Sequence, residues 1–160
     1  MKNTLLSTLF IIISLVSCSV SKEARSYKKA IDGNWQLQTV VTEGIQGKVS
    51  IQLFNEEAFN CFIGSSWHFN KNNSLGYYNI TANGNECTPV KRDIRWTIYE
   101  ADGEPKLLQF KRLDQKLNSM DDGSGFRFTI VEINDQKMQL RSSISFENKP
   151  AYLVYNFVRN

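Results

Sequence analysis

The sequence predicts an all-β domain, an eight-stranded antiparallel up-and-down barrel with a short helix near the second strand. Three observations lead there. From Trp35 onward, segments of five to ten residues alternate apolar and polar side chains, the period of a strand with one buried face. Clusters of Asn, Asp, Gly, Ser and Pro separate these segments at short intervals, as hairpin connections require. Eight such segments in sequence would leave two bare edges in an open sheet, and closure removes them. A two-sheet sandwich is the second arrangement that meets the same constraint.

The elements follow in order. Trp35, Leu37, Thr39 and Val41 share one face of the first strand. Ile51 to Ile63 breaks the alternation: Leu53, Phe54, Ala58, Phe59 and Phe62 lie nearer helical spacing. That spacing predicts a short helix or helical turn over about Asn55 to Phe62, although its aromatics would also suit a strand. Trp67 and Phe69 share a face of the second strand, and Asn70-Lys71-Asn72-Asn73-Ser74 turns the chain into the third, Leu75 to Thr81. In the fourth, Ile94, Trp96 and Ile98 alternate with Asp93, Arg95, Thr97 and Tyr99. The apolar set is expected inside, with Lys, Arg, Gln and Asp on the opposite face. Asp102-Gly103-Glu104-Pro105 leads into Lys106 to Lys111, where Leu108 and Phe110 point the same way. After the turn Asp121-Asp122-Gly123-Ser124-Gly125 comes Phe126 to Ile133, whose apolar positions change face between Ile130 and Val131. A bulge or burial on both faces would produce that change. Asn134-Asp135-Gln136 then makes a hairpin into Met138, Leu140, Ile144 and Phe146, and Asn148-Lys149-Pro150 leads into the last strand, Ala151 to Arg159.

The segment before the first strand has a different character. Lys2 precedes an apolar run, Leu5 to Val16, interrupted only by Ser7, Thr8 and Ser14. The run has the length of a secretory signal's hydrophobic region and is short for a membrane span. It ends in Leu15-Val16-Ser17-Cys18, which resembles a bacterial lipobox, where the signal is cut before a cysteine that is then acylated. An ordinary signal with a coincidental cysteine and an uncleaved anchor are the other readings. The lipobox reading divides the chain into a signal peptide (1–17), a lipidated N-terminus and tether (18–32) and the barrel (33–160). Ser19 to about Ala30 is polar, and no core pattern is read in it. Burial is worth about 0.8 kcal/mol per methylene, so one acyl chain is marginal and two hold firmly. Acylated Cys18, palmitate included, therefore implies a membrane-tethered envelope protein. Ser19 after it, as in lipoproteins generally, points to the outer membrane, with either face open. Cys61 and Cys87 then remain as an even pair in an oxidising compartment and are expected to form a disulfide, the alternative being two buried thiols.

Composition excludes several functions. The 19 Lys and Arg are scattered among 16 acids for a net charge of +3, without the basic stripe of a nucleic-acid binder. His68, the one histidine, alternates with Trp67 and Phe69 and so faces away from them. No Gly-x-Ser-x-Gly motif and no paired carboxylates suggest catalysis. Asp121-Asp122-Gly123 lacks the regular ligand spacing of a calcium loop. The expectation is a monomer that is not an enzyme and carries no cofactor or metal.

Gly33-Asn34-Trp35, opening the first strand, resembles the G-x-W signature of the lipocalins. In that family the tryptophan packs across the closed end of the barrel, under a basic residue from the end of the last strand. Arg159 stands at the matching position. More narrowly, Cys61, Gly64-Ser65-Ser66-Trp67-His68-Phe69, Cys87 and Arg92-Asp93-Ile94-Arg95-Trp96 resemble the lipocalin-like lipoproteins of the Bacteroides group. The likeness spans about Gly33 to Arg159, without the usual second and third lipocalin motifs or the long C-terminal helix. It implies a small hydrophobic or lipid-like ligand. Trp67, Tyr78, Trp96, Phe128 and Phe146 are, by strand position, the candidates to line its pocket. The competing reading is a barrel filled by its own side chains, with loops that contact another envelope component. A cavity on the order of a few hundred Å3, open at one end, would separate the two.

Overall fold

A computed structural model describes residues 20–160 except 48, 85, 102 and 103. The chain runs through α1 (Lys22–Ile31), β1 (Gly33–Glu43), β2 (Gln52–Leu53), β3 (Glu57–Ala58), α2 (Phe59–Phe62), β4 (Ser66–Phe69), β5 (Leu75–Ile80) and β6 (Val90–Tyr99). It continues through β7 (Leu107–Leu113), β8 (Phe126–Ile133), β9 (Lys137–Phe146) and β10 (Lys149–Arg159). β1 and β4 to β10 close into an eight-stranded antiparallel barrel, each strand beside its neighbour in sequence, with β1 sealing the ring between β10 and β4. These are the eight strands that the alternation predicts, because most of their length buries one face only; Leu153, Val154 and Tyr155 of β10, all buried, are an exception. The change of face in β8 is a bulge: its register with β9 slips between Ile130 and Glu132, leaving Val131 exposed. The short β2–β3 hairpin lies outside the barrel sheet.

Three expectations need correction. Thr39 and Val41 do not share the buried face of Trp35 and Leu37: the register of β1 with β10 slips between Leu37 and Thr39, so that Val40 is buried while Thr39 and Val41 are exposed. The helix near the second barrel strand is confined to Phe59–Phe62; Phe54 to Glu56 form a turn, and Glu57–Ala58 is a strand. The polar segment expected as an unpatterned tether contains α1. Ala24, Tyr27 and Ile31 recur at helical spacing, and Ala24 and Ile31 are fully buried against the barrel. Ser21 caps the helix, its hydroxyl accepting from the Ala24 N–H at 3.0 Å, a contact worth about 1 kcal/mol. Cys18 and the apolar run before it lie outside the described residues.

α1 closes one end of the barrel. The last carbonyls of a helix lack intrahelical donors, and here the barrel supplies them. Trp35 Nε1 donates to the Ile31 carbonyl at 2.7 Å. Arg159 donates to the carbonyls of Ala30 (2.6 Å) and Asp32 (2.8 Å). The Arg159 guanidinium also lies over the Trp35 ring, 4.2 Å from its centroid, an attraction of about 0.5–2 kcal/mol. Gly33 makes this seam: its φ is +118°, and a Cβ there would stand 2.8 Å from Arg159 Nη1. At the other end lie the β2–β3 hairpin, α2 and the β5–β6, β7–β8 and β9–β10 connections.

Candidate functional site: the plugged mouth of the barrel

The mouth is filled from above by one turn. The Leu53 carbonyl accepts from the Glu56 N–H at 2.9 Å, and the two residues between, Phe54 and Asn55, have φ of 52° and 53°. Asn tolerates that conformation; for an aromatic residue it costs about 1–2 kcal/mol. Burial repays Phe54. Its ring lies 5.1–6.3 Å from the rings of Phe62, Trp67, Tyr78, Phe110, Phe126, Phe128 and Tyr155. Burying a phenylalanine contributes about 1.5–3 kcal/mol before any edge-to-face attraction is added. Beneath Phe54 the barrel is lined by packed side chains, with a void of about 10 Å3 among Phe54, Trp67, Phe69, Leu108, Leu140 and Phe157.

Ionic contacts hold the turn on the β5–β7 side. Arg92 and Arg112 stand on the same strand faces as Ile94 and Phe110, and so point inward. Glu56 receives Arg92 Nη2 at 2.6 Å and Arg112 Nη1 at 3.2 Å, and the Tyr78 hydroxyl donates to the same carboxylate. Arg112 also donates to the Asn55 carbonyl at 3.2 Å and, through Nε at 2.9 Å and Nη2, to Asp121. Two guanidiniums thus face two carboxylates. Breaking such a buried pair by removing one partner typically costs about 3–5 kcal/mol. Hydrogen bonding from Arg112 holds the Asp121 carboxyl below its usual range. The guanidiniums are shifted further up, Arg92 by its bond to Glu56 and Arg112 by its bond to Asp121. Burial, then the bond to Glu56, raises the Tyr78 phenol. The Cys61–Cys87 disulfide, Cα atoms 5.5 Å apart, fastens α2 behind the hairpin to the β5–β6 connection.

The opposite side of the turn is open. A cleft of about 690 Å3 runs beside Leu53 and Phe54 along β8, β9 and β10, with Phe126, Phe128, Ile144 and Leu153 as its apolar wall. At its inner edge the Phe54 ring packs on Phe126, Phe128 and Tyr155. Its polar contribution includes Ser142 and Tyr155, whose hydroxyls lie 3.1 Å apart. Burial pushes the Tyr155 phenol up to about 12, so it is neutral and able to donate. Gln52, Asn55, Ser124, Arg127 and Ser143 also line the cleft, so about half of the lining is polar; polar groups set beside apolar walls can orient a small molecule.

The five sequence candidates are dispersed by this geometry. Phe128 lines the cleft. Trp67 and Tyr78 are buried beneath and beside Phe54. Trp96 is buried against Phe69, with Lys28 of α1 over its ring, away from the mouth. Phe146 borders a separate surface depression of about 450 Å3 with Gly44, Gln46 and Val49. His68 bonds Asn34 at 2.7 Å and stacks on Tyr77. Sequence reasoning missed Phe54, Glu56, Arg92 and Arg112, and the expectation that charged side chains all face outward is corrected by the two arginines. The signal was available: Arg92 and Arg112 have the parity of apolar positions on their own strands. Among the described residues, no three His, Cys, Asp or Glu side chains cluster as a metal site requires. The family model for a lipocalin-like domain matches residues 31–140. No curated protein and no solved structure matches the chain.

Proposed function

We propose that this chain, which belongs to the lipocalin-like domain family, holds a small hydrophobic or lipid-like molecule at the mouth of its barrel while an acylated Cys18 tethers it to the outer membrane of the cell envelope. The observation that carries the ligand reading is the cleft of about 690 Å3 between the Phe54 turn and β8–β10. Its volume lies within the range of small-molecule sites, and its lining sets aromatic and aliphatic walls beside hydroxyls, the Gln52 and Asn55 amides and Arg127. The tether rests on Leu15-Val16-Ser17-Cys18 behind an apolar run. With Cys18 carrying the lipid, the remaining cysteines are the disulfide pair.

The packed interior favours a second reading, in which the barrel is a rigid scaffold whose loops bind another envelope component. One experiment separates them. Residues 20–160 are titrated with the neutral probe N-phenyl-1-naphthylamine. Binding at micromolar concentration is expected. Ile144→Trp, which fills the cleft, should weaken it at least about tenfold, and Val131→Trp on the outer face should leave it unchanged. No binding, or equal binding by both variants, favours the scaffold. For the tether, Cys18→Ala should abolish lipid labelling and leave unprocessed precursor; normal processing contradicts it.

A further inference from the structure

The inward-facing polar groups of the mouth have an unusual source for their shared partner. Tyr78, Arg92 and Arg112 belong to three adjacent barrel strands, β5, β6 and β7, yet the carboxylate that joins them comes from the inserted turn. Two residues before that carboxylate, the Phe54 ring fills the throat of the barrel. The turn therefore presents to the barrel an apolar ring followed by a carboxylate, which is the chemistry of an amphiphilic acid. With Glu56 in place, the two guanidiniums are balanced by Glu56 and Asp121. Without it, one positive charge and a phenol donor are left facing an aromatic interior, and such groups need an anionic acceptor. A guanidinium's planar fork suits a carboxylate.

Three further observations point the same way. Phe54 borders the open cleft as well as the throat, so a chain lying in the cleft is adjacent to both positions. The turn holds Phe54 at a φ of 52°, a strain that is relieved when the turn withdraws. The cleft side offers a route of entry, whereas the disulfide fastens the opposite flank.

We propose that the Leu53–Glu56 turn is a built-in substitute for the ligand, and that the ligand is a single-chain amphiphile with a carboxylate head. It binds by displacing Phe54 and Glu56, setting its carboxylate on Arg92, Arg112 and Tyr78 and its apolar chain in the throat and cleft. The inference rests on the mouth being the binding site and adds the ligand's class.

The test compares dodecanoate with 1-dodecanol, which share a chain and differ in the head. Each is incubated with the full chain in detergent, and native mass spectrometry, which strips the micelle, reads the bound fraction. The wild-type chain should retain dodecanoate in preference to dodecanol. Glu56→Gln keeps the turn's shape without its charge. It should raise dodecanoate binding about tenfold, the effect expected of one charge-assisted contact, and leave dodecanol within about twofold. Arg92→Gln should bring dodecanoate down to the dodecanol level. Equal retention of acid and alcohol by the wild type and Glu56→Gln, or weaker acid binding by Glu56→Gln, overturns the proposal. If Glu56→Gln does not fold, Phe54→Ala decides: it vacates the throat without touching the ionic groups, and should bind more of both compounds with the acid still ahead. Equal binding there also overturns the proposal. If dodecanol binds, Ile144→Trp abolishes that binding and the head group makes no difference, the mouth remains the site and the carboxylate class is wrong. Retention of neither compound by any of these proteins overturns both.

Discussion

Trp35 and Arg159 illustrate how one residue pair serves two elements at once. They are register partners across the β1–β10 seam, and both donate to the carbonyl end of α1. The indole is completely buried, so Trp35→Ala should cost about 3–5 kcal/mol through lost packing and the cavity left behind. Arg159→Ala should cost less, and the double variant should fall short of the sum by at least about 0.5 kcal/mol, because the two side chains share one contact. Guanidinium unfolding of the four proteins measures this. Strict additivity would mean that the cation and the ring do not stabilise each other. Arg112 is the counterpart at the mouth: fully committed to Glu56, Asp121 and the Asn55 carbonyl, it anchors the plug as Arg159 anchors the helix.

At the scale of elements, the β2–β3 hairpin is attached by different means on its two sides. The Cys61–Cys87 bridge, spanning 26 residues of sequence, ties its downstream flank to the β5–β6 connection. On the chain-entropy model a loop of that size gives about 3.5 kcal/mol of stability. Replacing both cysteines by serine should lower the unfolding free energy by up to that amount and raise protease cleavage within 51–63 first. Unchanged denaturation and digestion would show that the staple contributes nothing. The barrel strands were legible in the sequence because single-sided burial imposes a period of two on most of their length, interrupted by the bulges of β1 and β8. The plug was not. Phe54 adopts a conformation its residue type disfavours, and the residues after it, Asn55 and Glu56, are held by partners that are distant in sequence, Arg92 and Arg112. α1 was hidden for another reason: its buried positions, Ala24 and Ile31 with half-buried Tyr27, are thinly spread among lysines and arginine. The candidate tryptophans were correctly placed inside the barrel, but inside meant core packing for Trp67 and Trp96. The ligand-sized space lies beside the plug on the β8–β10 side, outside the contacts of Phe54 with Phe126, Phe128 and Tyr155, and no local pattern records it.

The molecule as a whole is a barrel sealed by a helix at one end and blocked by a turn at the other, and its pH dependence should show what the turn and its neighbours bury. Asp121 has a lowered folded pKa because of Arg112. Its contribution is therefore present above the unfolded value near about 3.9 and is lost as pH falls through the folded one. Tyr155 titrates the opposite way, raised from 10.0 to about 12 by burial. Stability is full below pH 10 and declines as pH rises toward 12, by about 1.4 kcal/mol per unit for this group. Tyr155→Phe should make the alkaline decline measured between pH 9 and 11 shallower, the rest coming from Tyr78, whose phenol is raised too; an identical decline would mean the Tyr155 phenol is not buried. The most direct measurement concerns occupancy of the mouth. Crystals of the protein grown with 12-iodododecanoic acid should show anomalous iodine scattering between the Leu53–Phe54 segment and the Phe126–Ile144 wall, with the Phe54 ring moved from the throat. Iodine confined to the outer surface of the barrel, or a fully occupied Phe54 with an empty cleft at saturating acid, would contradict a ligand site at the mouth.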